Sequence, residues 1–296
     1  MITKTAMIAI VGRPNVGKST LTNTLAGEKV AIVSSKPQTT RNRIFAVLNR
    51  EETQIVLLDT PGYHKPRTKL GDYMVNVANE SVADVDAVAL VVEPIAHIGP
   101  QEEQLIRRIA QEKVPSILVI NKIDTVKKDE LLAVIDIYAK AHDFTAIIPI
   151  SAKQGDGTEE LAREFEKYAC DGPQLFPDGM VTDQPEKQII AEIIREKLLI
   201  CLEREVPHGT AVEITRFSER ENEIIDVDAT IYCEKTSQKG IIIGKNGAML
   251  KKIGELARTD MEAFLGTKVF LQTWVKVKEN WRDSMAQLRN FGYNNE

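Results

Sequence analysis

Cysteine is scarce in this chain: there are three in 296 residues, Cys170, Cys201 and Cys233, with no Cys-x-x-Cys pair and an odd total. That spacing excludes a disulfide framework and the usual zinc arrangements, and it predicts ordinary thiols in a reducing, cytoplasmic compartment. Long hydrophobic runs are missing too. The longest, such as Ala87–Val92, fall far short of the ~20 residues a membrane-spanning helix needs. The N-terminal stretch MITKTAMIAIVGRPN runs straight into a glycine turn without a small-residue cleavage site, so no secretory leader is expected. Net positive charge is also lacking: 38 Lys and Arg against 43 Asp and Glu leave −5. This excludes a surface coated uniformly for nucleic acid, though not a local patch. With 43% apolar and 27% charged residues the chain is ordinary globular protein, and its length predicts two domains.

From Met7 to about Ala169, short β-branched runs alternate with amphipathic stretches. Met7–Val11, Ile55–Leu58, Ala87–Val92, Ser116–Ile120 and Thr145–Ile150 read as buried strands. Gln101–Glu112 and Lys128–Lys140 read as helices. Such alternation predicts a mostly parallel sheet covered on both faces. Arg43–Asn49 alternates instead and is joined by a short polar turn to the next run, which predicts one antiparallel edge strand. Residues 171–187, rich in proline, glycine and turn formers, read as a linker between a domain at 1–170 and another at 188–296. The second domain reads as helix Gln188–Glu203, strands Ala211–Phe217 and Ile224–Cys233, helix Ala248–Leu265 and strand Lys268–Val277. A loose polar tail, Asn290–Glu296, is expected after it. Charge divides this domain: Asp183–Cys233 holds six Lys/Arg against twelve Asp/Glu (−6), whereas Glu234–Arg282 holds ten against five (+5).

Gly12-Arg13-Pro14-Asn15-Val16-Gly17-Lys18-Ser19-Thr20 follows a strand and opens a helix. This is the GxxxxGK[ST] phosphate loop in the context that gives it meaning. Backbone N–H groups of the loop and the positive end of the helix dipole face one point, where they suit phosphate oxygens. Lys18 is a point charge for the β- and γ-phosphates, and the Ser19 hydroxyl suits a bridging magnesium ion. Asp59-Thr60-Pro61-Gly62 ends the next apolar strand, which places a carboxylate for the metal and, at Gly62, an N–H for the γ-phosphate. Asn121-Lys122-Ile123-Asp124 ends another. There the Asp124 carboxylate can accept the two guanine donors that adenine does not offer. Ser151-Ala152-Lys153 follows a further strand, and the Ala152 N–H is expected at the guanine carbonyl.

These motifs, in this order, resemble the translation-factor class of GTPases over residues 7–169. The resemblance implies GTP and GDP as ligands with Mg2+. It makes Ser34–Asn42 a first switch, with Thr39 and Thr40 as candidates for the metal-binding threonine, Thr40 favoured because it precedes Arg41. Tyr63–Gly71 becomes the second switch. On this reading Lys18, Thr40 and Gly62 are the candidate catalytic groups, and Ser19, Thr40 and Asp59 the metal ligands. Nucleotide is expected on Gly12, Asn15, Val16, Gly17, Lys18, Ser19, Thr20, Asp59, Gly62, Asn121, Lys122, Asp124, Ser151, Ala152 and Lys153. One departure stands out. Many regulatory GTPases place glutamine directly after the DxxG glycine to orient the attacking water. Tyr63 stands there, which predicts slow intrinsic hydrolysis stimulated by a partner.

In the basic half of the second domain, Gly244-Lys245-Asn246-Gly247 joins an apolar run to a helix bearing Lys251 and Lys252. Two glycines let a nucleic-acid backbone pass close to exposed N–H groups and Lys245. Ile241, Ile242 and Ile243 are expected to pack in the core beneath. The element order resembles the bacterial, type II form of the KH RNA-binding domain. Lys239, Gly240, Ile243, Gly244, Lys245, Asn246, Gly247, Lys251 and Lys252 are its candidate RNA residues. Trp274 and Trp281, at a strand and a strand end, read first as core, with stacking on RNA as the alternative. The expected fold is therefore an α/β P-loop GTPase domain, mostly parallel with one antiparallel edge strand, followed by an α+β type II KH domain. That combination resembles the bacterial ribosome-assembly GTPases. The resemblance implies a monomer that binds unpaired 16S rRNA near its 3′ end, rather than DNA, and acts in maturation of the small (30S) ribosomal subunit. It also implies peripheral association with the inner face of the cell membrane.

Overall fold

The computed structural model describes residues 2–221 and 223–293. The chain forms two compact units. The first comprises Met1–Ala31, Thr40–Pro66 and Gly71–Asp183; the second comprises Ile32–Thr39, Arg67–Leu70 and Gln184–Glu296.

In the first unit, strands β1 (Lys4–Val11), β2 (Ile44–Arg50), β3 (Thr53–Asp59), β4 (Ala87–Val92), β5 (Ser116–Ile120) and β6 (Ala146–Pro149) lie in the order β2-β3-β1-β4-β5-β6. The pairs of β1 with β3 and β4, of β4 with β5 and of β5 with β6 are parallel. β2 runs antiparallel to β3 at the edge, as its alternating pattern predicts. A short β7 (Cys170–Asp171) adds an antiparallel pair with β1. Helices α1 (Lys18–Ala26), α2 (Lys69–Glu80), α3 (Pro100–Glu112), α4 (Lys128–Ala141) and α5 (Thr158–Glu166) complete the alternation. Period-two side-chain placement explains the continuous apolar strands. Along β1, Ala6, Ile8 and Ile10 enter one core, while Ala9 and Val11 enter the core on the other face. All six residues of β4 are buried, and each such aliphatic side chain contributes roughly 1.5–3 kcal/mol by leaving water. Strands held this firmly present their carboxyl-end loops as fixed platforms, where open α/β sheets bind ligands.

Residues 171–187 are not a free tether. Gln54, fully buried on β3, accepts from the Leu175 and Phe176 N–H groups and donates to the Phe176 carbonyl. The Val47 N–H donates to the Val181 carbonyl. Backbone groups that the edge strand leaves unpaired are thus satisfied, and the first unit extends to Asp183.

The second unit contains α6 (Glu186–Cys201), β8 (Ala211–Glu219), β9 (Ile225–Cys233), α7 (Thr236–Ile243), α8 (Ala248–Leu265), β10 (Val269–Val277) and α9 (Met285–Asn290). Its sheet runs β10-β9-β8, with β10 parallel and β8 antiparallel to β9. Ile190, Ile194 and Leu198 of α6 join Ile253, Ala257 and Met261 of α8 over Val227, Ala229 and Ile231 of β9. Of the three isoleucines expected in the core, Ile242 is buried and Ile243 partly so, but Ile241 is 51% exposed. Three consecutive positions on a helix cannot all face one side. The tail expected to be loose is anchored as far as it is described. Tyr293 is buried, and Phe291 and Tyr293 pack on the ring of the buried Trp281, whose Nε1–H donates to the Gly209 carbonyl at 2.9 Å. Residues 294–296 lie outside the described residues.

Candidate nucleotide site and RNA groove

The phosphate loop leaves β1 at Val11 and becomes α1 at Lys18. Gly17 has φ 99°, a left-handed conformation, and a Cβ there would sit 2.2 Å from Asn121 Nδ2; any side chain would wedge the loop away from the strand beside it. Lys18 arches back over the loop, its Nζ donating to the Gly12 and Arg13 carbonyls at 3.1 Å each. Burial lowers its ammonium to about 8, against the pull of Asp59. Phosphate oxygens brought to that nitrogen restore the charged form.

Three oxygens converge at the end of β3. Ser19 Oγ donates to Asp59 Oδ2 at 2.7 Å and lies 2.8 Å from Thr40 Oγ1, which is 3.5 Å from the same carboxylate oxygen. Asp59 is fully buried, and its Oδ1 has no hydrogen-bond partner. Burial pushes the carboxyl up to about 6, against the opposing charge of Lys18 and the hydrogen bonds from Ser19 and Thr40. A hard divalent cation suits two hydroxyls and a carboxylate with a spare oxygen, so Ser19, Thr40 and Asp59 fit magnesium. Between the two candidate threonines the geometry favours Thr40, because Thr39 Oγ1 is spent on the Lys36 carbonyl. Beyond Asp59, the Thr60 hydroxyl donates to the Ile10 carbonyl and the Tyr63 N–H to the Gly12 carbonyl, which ties Gly62 to the loop. The Tyr63 side chain packs against the apolar cluster of Val11, Val82 and Val92, and the next residue, His64, donates from Nδ1 to the Gly62 carbonyl at 2.9 Å.

Asn121 works as a hub. Its Oδ1 accepts the Lys122 and Ala152 N–H groups at 2.8 and 2.9 Å, and its Nδ2 donates to the Val16 carbonyl at 2.8 Å. The Ala152 N–H, expected at a guanine carbonyl, is therefore committed to Asn121, which holds the two base-side loops together. Lys122 Nζ donates to the Asn15 carbonyl at 2.6 Å. Asp124 is exposed, its Oδ1 steadied by the Ser151 hydroxyl at 2.7 Å, and Lys153, two residues after Ser151, is exposed as well. Asn15 and Lys122 both hold positive φ, the local cost of bending two loops toward one ligand.

In the second unit, Gln238 closes the start of α7 by accepting the Glu234 and Lys235 N–H groups. The helix stops at Gly244, whose φ is 72° and where a Cβ would lie 2.7 Å from Met249 Cβ. Asn246 and Gly247 also hold positive φ, with Lys245 and Asn246 exposed at the turn. A groove of about 440 Å³ runs from Gly247 between Leu250, Lys251, Gly254, Glu255 and Arg258 of α8 and Leu271 and Thr273 of β10. Of the expected RNA residues, Gly247 and Lys251 line it. Lys239, Gly240, Ile243, Gly244, Lys245, Asn246 and Lys252 are not among its lining residues. Gly254 puts no side chain into the groove, and a Cβ there would meet nothing within 4 Å.

A profile described as a 50S ribosome-binding GTPase matches residues 7–122, and a KH-domain profile matches residues 205–282. The chain is 54% identical over 290 residues to the GTPase Era of Ruminiclostridium cellulolyticum, covering 98% of this chain and 97% of that protein. It belongs to the Era family of GTPases. The Era of Clostridioides difficile is 53% identical over 295 residues, 99% of each chain. A crystal structure of Era in complex with MgGDPNP and nucleotides 1506–1542 of 16S ribosomal RNA matches with a TM-score of 0.94 at 40% identity, over 98% of this chain and 99% of that one. Aquifex aeolicus Era Y63A bound to GDP·AlF4− matches with the same score, identity and coverage.

Around the nucleotide motifs the structure also joins groups that carry no motif of their own. Glu93, directly after β4, bridges the two halves of the site: Oε2 pairs with Arg13 of the phosphate loop at 2.6 Å, and Oε1 with Lys122 at 2.6 Å. Arg13 Nε meets Glu102 Oε1 of α3 at 2.7 Å. A lone acid at the carboxyl end of an all-apolar strand is the sequence signal that marks Glu93. The groove residues Leu250, Gly254, Arg258, Leu271 and Thr273 carried no motif and emerge only when α8 and β10 are seen side by side.

Proposed function

We propose that this GTPase is a switch that binds 16S rRNA near its 3′ end through the KH groove and assists assembly and maturation of the 30S subunit. The observation that carries the reading is the pair of sites on one chain: a phosphate loop whose Ser19, Thr40 and Asp59 oxygens converge, and a glycine turn opening onto a basic groove. Magnesium, when bound on those oxygens, neutralises charge between the β- and γ-phosphates. Lys18 would add a positive charge at the same oxygens, and the Gly62 N–H would serve as a donor to the γ-phosphate. Water attacks the γ-phosphorus, the bond to the β–γ bridging oxygen breaks, and GDP and phosphate leave. No glutamine follows Gly62 to orient that water, so hydrolysis is slow until a bound partner orders the switches.

Coupling has a structural basis in where the backbone changes unit, between Thr39 and Thr40. On one side, Arg195 of α6, buried and paired with Glu192, donates to the Gln38 and Thr39 carbonyls, while Glu196 accepts the Val33 N–H. On the other side, Thr40 reaches the metal oxygens. On this reading the peptide between Thr39 and Thr40 is the route by which the nucleotide state reaches the second unit. The same reading makes the protein a cytoplasmic monomer with peripheral association at the inner membrane face. This rests on the family resemblance, and no helix of the described residues is long and apolar enough to cross a membrane. Turnover of Mg·GTP with and without small subunits tests the switch. Strong stimulation supports it; tight RNA binding with unaltered turnover instead makes the protein a nucleotide-bound RNA scaffold.

A further inference from the structure

Strand β10 has two faces, and the groove uses one. Leu271 and Thr273 line the groove, so alternation sends Phe270, Gln272, Trp274 and Lys276 to the opposite face of the sheet. Phe270 is 47% exposed and Trp274 45%, whereas the chain's other tryptophan, Trp281, is fully buried. Two large rings stand half in water on one face of one strand, each offering a flat apolar surface of the kind bases stack on.

The neighbourhood specifies that occupant. β10 is an edge strand, so a strand lying in the groove reaches the far face by passing round one polypeptide backbone. The rings, four residues apart, are spaced by roughly 13 Å along it, enough for each to take its own base. One carboxylate facing this surface is neutralised: Asp226, opposite Phe270 in the register, pairs with Arg220 at 2.5 Å and Arg216 at 3.3 Å, while Glu213, toward the other end, keeps its charge and accepts the Tyr232 hydroxyl. Arg220 also lies over the Phe270 ring at 5.1 Å from its centroid, so one face of that ring is taken and a base arriving there meets the guanidinium plane, itself a stacking surface for bases. Tyr232 is covered by Phe291, so the free aromatic surface is confined to the Phe270–Trp274 end. Asp228, opposite Gln272, disfavours a dense run of phosphates there; the contact is through rings.

We infer that Phe270 and Trp274 form a sequence-tolerant stacking platform for unpaired bases of the same RNA strand that occupies the groove, a second subsite reached round the β10 edge. It rests on the reading of the groove as an RNA site, and the experiment separates the two. The full-length, GTP-analogue-bound protein is titrated with unpaired oligoribonucleotides of about four nucleotides, the length a KH groove clamps, and of about ten, all from the 3′-terminal segment of 16S rRNA. Because Trp281 is buried, quenching of tryptophan fluorescence reports Trp274. The long oligonucleotide is expected to quench and to bind between about fivefold and about a hundredfold more tightly than the short one. Trp274→Ala removes that gain and leaves the short oligonucleotide unaffected, Trp274→Phe keeps most of it, and the salt dependence stays unchanged because stacking releases no counterions. Equal affinity for both lengths without quenching overturns the platform, as does a Trp274→Ala protein that binds the long oligonucleotide normally. If that variant fails only with intact subunits, the face docks a ribosomal protein and the inference is wrong. If neither oligonucleotide binds the wild-type chain, the groove reading falls and the platform with it.

Discussion

The two glycine turns of this chain solve opposite problems. Around Gly12–Gly17 the surrounding groups are committed: Lys18 caps two carbonyls, Asn121 and Lys122 hold two more, and Glu93 clamps Arg13. Around Gly244–Gly247 the turn is strained at its first glycine but open at its last, where a Cβ would meet nothing within 4 Å. A small triphosphate is recognised by a rigid cradle prepared in advance, because every donor already in place saves ordering entropy on binding. A nucleic-acid strand needs a path, and a path is kept clear. The first turn should therefore fail when one charge is removed, the second only when its charge is reversed.

The largest expected effect is at the cradle. Lys18→Ala should abolish measurable affinity for GTP and GDP while RNA affinity in the absence of nucleotide persists, as read by calorimetry and by filter binding. At the second turn, Lys245→Asp with Asn246→Asp should cut RNA affinity at least about tenfold, since two like charges meet phosphate, and leave GDP affinity unchanged. Gly244→Asp is the sharper contrast. With φ 72° and Met249 in the way, it should lower the melting temperature, whereas the double variant should not. A smaller effect is expected at Glu93→Gln. Losing the bridge between Arg13 and Lys122 should weaken GDP severalfold through faster release, measured with a fluorescent GDP analogue, with melting of the second unit unaltered.

The smallest effect is pH dependence. Asp59 is raised to about 6, so below that pH the nucleotide-free site holds a proton that magnesium must displace. Lys18 is lowered to about 8, so above that pH phosphate must find an ammonium already lost. Affinity for Mg·GDP should be flat between about pH 6 and 8 and fall on both sides. Asp59→Asn should remove the acid limb. The same burial makes the unliganded fold less stable as pH rises from about 4 toward 6, because the folded carboxyl holds its proton more tightly than the unfolded one.

Much of this was legible in sequence because the chemistry is contiguous. The phosphate loop, DxxG and NKxD each place their groups within a few residues at the end of a strand, and β4 and β5 have the bounds that their apolar runs predict. What sequence hid was long-range. Gln54 reads as one polar residue in a strand, and only the fold shows it clamping Leu175 and Phe176. Phe291 and Tyr293 look like part of a polar tail until Trp281 gives them a partner. Ala152 could be assigned to its loop but not to its acceptor, because Asn121 competes for its N–H. The groove was half legible: its glycines and lysines carry a pattern, while Leu271 and Thr273 qualify only by lying across from α8.

The most direct test of the account is a calorimetric titration of the purified chain with Mg·GDP, Mg·ADP and Mg·XDP, repeated with Asp124→Asn. Heat with GDP alone for the wild type, and a transfer of preference to XDP in the variant, is the predicted result. Equal heats for GDP and ADP, or an unmoved preference in Asp124→Asn, contradict it.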